Sequence, residues 1–220
     1  MASRDKHGAA EWRMGAFEGM NSGSAHISRR RFLGVCGAGL TLAGCASSGP
    51  TALYGIDAAN VQTGGKRQKG VQVLVPRPRA LKALDTEFIA VVDKGPVYSY
   101  FPKVAWADSL PSVVQSKIVQ TLENTDRLRG VGFPGEGLLI DYQLQTDLRA
   151  FELHVDGADR GVVEIAAKLV NDRNGRTIAN RVFRAEVASG GTSVDKAVAA
   201  MNRAADRVFS EMALWILARV

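Results

Sequence analysis

Cys36 and Cys45 carry the only two thiols in this chain of 220 residues, and the neighbours of the second specify its chemistry. Leu42-Ala43-Gly44-Cys45 closes an apolar run over 32–43, and small polar residues, Ala46-Ser47-Ser48-Gly49-Pro50, follow at once. A thiol at such a boundary can take a diacylglycerol on sulfur. After cleavage on its amino side it can take a further acyl chain on the new amino group. Leu42, Ala43 and Gly44 then form the lipobox, and Cys45 is the lipidation site of a protein anchored outside the cytoplasm. A plainly secreted protein would leave this tetrapeptide without a purpose. The expected non-protein group is this covalent lipid alone, with no metal and no cofactor.

Catalytic residue types are scarce beyond Cys45. His7 and His26 precede the cleavage point, so His154 is the only histidine of residues 45–220. One histidine without a second thiol excludes the usual zinc and transition-metal sites. There is no G-x-S-x-G elbow, and G-V-G-F-P-G-E-G over 130–137 lacks the G-K-[ST] of a phosphate-binding loop and reads as a turn. His154 stands late in a strand pattern and is expected to face solvent. The carboxylates Asp141, Asp147, Glu152, Asp156 and Glu164 fall on neighbouring strands. Two of them facing each other could hydrolyse a glycoside, although charges on the open face of a sheet account for them equally. The aromatic group Tyr98, Tyr100, Phe101 and Trp106 has two readings. It is core and sheet-edge packing, or a surface for a partner or a lipid, where Tyr and Trp are enriched.

Residues 1–44 read as a removable signal. The apolar run is shorter than the roughly 20 residues that cross a bilayer, and four glycines, Gly34, Gly37, Gly39 and Gly44, make it poor material for a packed helix. Arg29 and Arg30 followed by Phe32 and Leu33 match a twin-arginine address, read by a receptor that exports folded proteins; a basic patch also precedes ordinary secretory signals. Met14 and Met20 are alternative starts. Two or more acyl chains, each buried CH2 contributing about 0.8 kcal/mol, anchor stably where one does not, so 45–50 is expected to be a lipid-anchored tether.

The leader holds six of the 28 basic and three of the 22 acidic residues, so the net charge of +6 falls to +3 over 45–220. That balance gives no reason to invoke nucleic acid. Residues 51–220 suffice for one domain with one core, which no disulfide can staple.

The elements that must position these groups follow from periodicity. Strands are expected over 51–57 and 71–75, the second closed by Pro76 and Pro78, with a polar glycine-rich loop over 64–70 between them. Residues 88–92 and 97–101 form a hairpin around Asp93-Lys94-Gly95-Pro96. A helix over 108–124 has Asp108 as N-cap and Pro111 in its first turn. A long strand over 142–155 changes apolar parity between Leu148 and Phe151, which requires a bulge near Arg149 and Ala150. Residues 163–169 alternate, Asn174-Gly175 supplies the hairpin turn, and 177–187 returns. A final helix over 193–218 buries Val194, Ala197, Val198, Met201, Ala205, Val208, Met212 and Trp215. The fold class is α+β: an antiparallel or mixed sheet of about six to seven strands, both long helices on one face.

Several segments in this order resemble the ABC-type transport auxiliary lipoprotein family: Leu53-Tyr54, V-L-V-P-R-P-R-A-L-K-A-L-D-T-E-F-I-A-V (73–91), Y-S-Y-F-P-K-V-A-W-A-D-S-L-P (98–111), D-Y-Q-L-Q-T-D-L-R-A-F-E (141–152) and the terminal helix with Trp215. The resemblance implies a non-enzymatic lipoprotein that serves an ABC permease and ATPase whose substrate-binding subunit has MCE domains. Such systems move lipids between the inner and outer membranes. It further implies a place on the periplasmic face of the outer membrane, with which Ala46 after the lipidated cysteine agrees. A lipid ligand and a ring of several copies around the partner are compatible with it. Tyr98, Tyr100 and Trp106 are then the candidate partner surface. An independent periplasmic lipid carrier and a carboxylate-dependent periplasmic hydrolase are the competing readings.

Overall fold

The computed structural model describes residues 49–64, 70–137 and 139–220. The signal residues Arg29, Arg30, Phe32 and Leu33, the lipobox with Cys45, and the middle of the glycine-rich loop lie outside the described residues.

The architecture is α+β, a nine-stranded mixed sheet with two long helices. Its axis is β7, Tyr142–His154, thirteen residues of alternating apolar and polar side chains. Along one side β7 pairs antiparallel with β8 (Arg160–Asn171), and β8 pairs with β9 (Thr177–Ala188). Along its other side three short strands lie end to end, all parallel to it: β2 (Gln72–Leu74), β3 (Arg79–Ala80) and β4 (Phe88–Val92). They behave as one interrupted strand. Pro76 and Pro78 lack the N–H that a continuous ladder needs, and a turn after Ala80 lifts the chain out before β4 resumes. Beyond β2 lies β6 (Gly130–Gly132), parallel; beyond β4 lie β5 (Tyr98–Trp106), antiparallel, and then β1 (Ala52–Tyr54), parallel.

The expected bulge is present: Leu148 faces Ile165 and Ala150 faces Glu164, leaving Arg149 without an opposite residue. Leu144, Leu148, Phe151 and Leu153 therefore all reach the same core. The Asn174-Gly175 turn closes β8 onto β9 with Gly175 at φ 68°, a conformation glycine adopts without steric cost. Several expectations are corrected. The sheet has nine strands rather than six to seven, because β3 and β6 are short parallel additions with no periodicity of their own. Residues 130–137 open with β6 rather than forming only a loop. The first strand is three residues long, since beyond Tyr54 the chain leaves the sheet and buries Ile56, Ala59 and Val61 in the core. Ser109, not Asp108, caps α1 (Leu110–Asn124); the Asp108 carboxylate instead accepts the Ser109 N–H.

Helix α2 (Val194–Leu217) begins after Ser193 and buries the stripe read from its periodicity, apart from half-buried Val194. Both helices cover the same face of the sheet and share one core with it. Trp106 meets Phe151 edge to face at 5.5 Å, and Phe183 meets Trp215 likewise at 5.7 Å. Where α2 crosses β8, Gly161 lets the two backbones touch: a Cβ there would lie 2.6 Å from the Met201 nitrogen and 2.7 Å from the Ala200 carbonyl carbon.

Two substitutions measure this packing. Gly161→Ala should lower stability by about 1–3 kcal/mol, the usual cost of overpacking, and Trp106→Ala by about 3–5 kcal/mol, that of truncating a buried aromatic. Urea unfolding followed by far-UV circular dichroism reads both; a wild-type midpoint for Gly161→Ala would show that α2 can lift at no cost.

Candidate functional site

With both helices on one face, the other face of the sheet is left open, and the alternating side chains of β4, β5, β7, β8 and β9 decorate it. At the β4–β5 end it is aromatic. Phe88 is 47% and Tyr100 40% exposed, their rings 5.8 Å apart and tilted, and the Tyr100 hydroxyl donates to the Ala83 carbonyl at 3.2 Å. Tyr98, opposite Val92, stands half-buried on the same face. Trp106 does not. Lys103 adopts φ 60°, the register slips between Tyr100 and Ala105, and Trp106 turns inward to 1% exposure. The expected partner surface of Tyr98, Tyr100 and Trp106 is thus divided: two tyrosines outside, the tryptophan in the core, and Phe88 joining the tyrosines.

Next to Tyr98 lies a buried polar pair. Glu152 is 4% exposed, and its Oε1 is 3.0 Å from His154 Nε2. Glu152 Oε2 and His154 Nδ1 are buried without a hydrogen-bond partner, and Asp156 Oδ1 lies 3.8 Å from Nδ1. Burial pushes the Glu152 carboxyl above its ordinary value, and the His154 hydrogen bond opposes this less strongly. Tyr98 is raised as well, first by burial and then by the charge of Glu152. His154 therefore does not face solvent as its strand position implied; its side chain is 17% exposed and packed against Glu152.

Across β8 and β9 the open face is ionic. Arg184 binds Glu164 at 2.7 Å and Glu186 at 2.6 Å; Arg160 binds Glu186 at 2.9 Å and Asp156 at 3.1 Å. The hydrogen bonds that Arg184 donates to Glu164 and then to Glu186 hold it further toward its charged form, and the Arg184 contact chiefly lowers Glu186. On the loop side Asp141 takes Arg173 at 2.9 Å and the Gln72 N–H at 3.0 Å. Of the carboxylates that a hydrolase would need, Asp141, Asp156 and Glu164 thus hold arginine, Glu152 holds His154, and Asp147 lies 3.6 Å from Arg149. Each lies against a basic side chain rather than against a facing carboxylate.

Beyond this ladder β3, β7, β8 and β9 enclose an open groove of about 360 Å³, lined by Arg79, Gln145, Asp147, Arg149, Lys168 and Asn180 among others. Its cations, Arg79, Arg149, Lys168 and Arg181, come from four separated segments and form no motif in the sequence. The bulge at Arg149 was the one legible signal. Among the described residues no group of three His, Cys, Asp or Glu is placed to hold a metal ion, and no helix is long and apolar enough to cross a membrane.

Known proteins resemble this chain at three levels. A family model described as the ABC-type transport auxiliary lipoprotein component matches residues 54–213. An uncharacterized protein of Bradyrhizobium diazoefficiens, bll6063, is 30% identical over 148 residues, 66% of this chain and 39% of that protein; the chain thus spans well under half the length of this curated relative. In fold, the crystal structure of XCC0632 from Xanthomonas campestris superposes with a TM-score of 0.70 at 24% identity, over 76% of this chain and 95% of that one. The hypothetical protein CT253 from Chlamydia trachomatis superposes with a TM-score of 0.50 at 10% identity, over 68% and 96%.

The Glu152–His154 pair makes a pH-dependent prediction. A carboxyl whose folded pKa is raised contributes stability below its ordinary value, near 4.5, and loses it as pH rises through the folded value. Glu152→Gln keeps the shape without the charge, so its melting temperature relative to wild type should be higher at pH 8 than at pH 5. Thermal melts at the two pH values decide this; a variant destabilised more at pH 8 would show that His154 holds the carboxylate charged.

Proposed function

Because this chain belongs to the ABC-type transport auxiliary lipoprotein component family, we propose that it is a non-enzymatic docking component of an MCE-type ABC transporter that moves lipid between the two membranes of the envelope. The match over residues 54–213 carries this reading, since it takes in nearly every element of the fold. In this reading the diacylglycerol and acyl chains on Cys45 hold the domain to the periplasmic face of the outer membrane. The transporter's permease and ATPase lie at the inner membrane, and the MCE subunit between them is the direct partner. The exposed aromatics Phe88 and Tyr100, beside Tyr98, supply its contact. Aromatic anchors with little conformational entropy to lose are what a protein interface concentrates near its centre. Several copies ringing one MCE assembly would multiply a modest contact through effective concentration.

The test is a pull-down of the full chain, Cys45 intact, from detergent-solubilised membranes. Recovery of an ABC ATPase, a permease and an MCE-domain protein is expected, and their consistent absence would overturn the reading. Phe88→Ala with Tyr100→Ala should cut that recovery at least tenfold while the protein stays in the membrane fraction. Cys45→Ala should move the protein to the soluble fraction with its melting temperature unchanged.

A further inference from the structure

The arginines of the open face fall into two groups. Arg160 and Arg184 are each held by two carboxylates within 3.1 Å. Arg149, the bulge residue, comes no closer than 3.6 Å to Asp147 and Glu164 and donates no hydrogen bond to either. Glu164 gives its short contact to Arg184 instead, at 2.7 Å. Among the described residues Arg79 and Lys168 have no ion pair at all, and Gln145 and Asn180 have no side-chain hydrogen bond. These five groups, Arg79, Gln145, Arg149, Lys168 and Asn180, line the same groove of about 360 Å³. A fourth cation at the rim, Arg181, is occupied by Glu211 at 3.1 Å and by the Phe183 ring. Against two cations with no ion pair, a third, Arg149, held only at 3.6 Å, and two neutral amide donors, the groove offers one acid, Asp147.

Register brings them together. Lys168 and Asn180 face each other across β8 and β9, with Gln145 on the far side of Lys168. Arg79 comes alongside Asp147 through β3, and the bulge delivers Arg149 to the same face. Ala166 and Val182 also line the groove and leave room above the sheet between the charged side chains. The volume lies in the range of small-ligand sites.

We propose that this groove binds a phosphate group, carried either by a phospholipid headgroup or by a free phosphate compound. Two guanidinium forks can each grip a pair of phosphate oxygens, and an ammonium adds a point charge. The amides of Gln145 and Asn180 complete the donor set, and Ala166 with Val182 accommodates the glycerol stem of a phosphoester. The inference rests on different residues from the docking contact and does not depend on it.

The full chain carrying Cys45→Ser, which cannot be lipidated, is titrated calorimetrically with inorganic phosphate and with glycerol 3-phosphate at low ionic strength, where screening of exposed charges is weakest. In parallel it is floated with vesicles of phosphatidylglycerol in phosphatidylcholine, and of phosphatidylcholine alone. Binding is expected to weaken about tenfold in Arg149→Gln and to vanish when Arg79→Gln and Lys168→Gln are added, while Arg173→Gln, a cation outside the groove, binds as wild type. Flotation with phosphatidylglycerol that glycerol 3-phosphate competes away identifies a headgroup as the source; binding of soluble phosphate without flotation identifies a free one. Thermal melts certify folding, and Lys168→Gln alone serves if the triple variant does not fold. No binding of any probe, or an equal loss in Arg173→Gln, overturns the proposal.

Discussion

The contact between Gly161 and the backbone of α2 at Ala200 and Met201 sets the rest of this molecule. A helix that sits so low on β8 can bury nearly all of its apolar stripe against β7, β8 and β9, and it brings Trp215 onto Phe183. With α1 it fills one face of the sheet and one only. The other face must therefore be made compatible with water, and its residues answer to a different rule: alternating cations and carboxylates across β8 and β9, with aromatics at the β4–β5 end. A β-sheet with one packed face and one solvated face commonly alternates in this way.

Much of this was legible in the sequence where the signal is local. The parity change in β7 required a bulge, and the bulge sits at Arg149. Asn174-Gly175 marked a hairpin, and the stripe of α2 read correctly over nearly its full length. What the sequence concealed depends on partners far along the chain. The parallel pairing of β2, β3 and β4 with β7 has no periodic signature in strands of two to five residues. β6 exists only because β2 offers it an edge. Trp106 shares the parity of Tyr98 and Tyr100, but the left-handed Lys103 and the register slip around it turn the tryptophan to the opposite side. The position of His154 late in a strand points to solvent, and the carboxylate two positions earlier draws it into a buried pair.

The candidate site follows the same division. A sequence displays charges but not which of them neutralise one another, so Arg149 and Arg184 look equivalent until Glu164 is seen to choose between them. Glu164 meets Arg184 at 2.7 Å and Arg149 only at 3.6 Å. The pairing of Arg160 and Arg184 is structural, and it is what leaves the groove cations in excess. Exposed ion pairs of this kind add little stability. Their larger effect here is to decide where on an otherwise mixed surface positive potential collects.

The end-to-end row of β2, β3 and β4 bears on how the chain comes into being. Each of these strands pairs with a stretch of β7 that lies 62 to 69 positions further on, as Val73 with Tyr142, Arg79 with Asp147 and Ala90 with Glu152 show. The β7–β8–β9 meander is built from neighbours in sequence, and little chain entropy opposes contacts of that kind. A ribosome delivers this molecule in the inconvenient order. The amino-terminal half is made early, and its β1–β5, β4–β5 and β2–β6 pairs need nothing further along the chain, but the row of β2, β3 and β4 has no common neighbour until β7 has emerged. The seam that joins the two halves of the sheet therefore depends on the longest-range strand pairings in the fold.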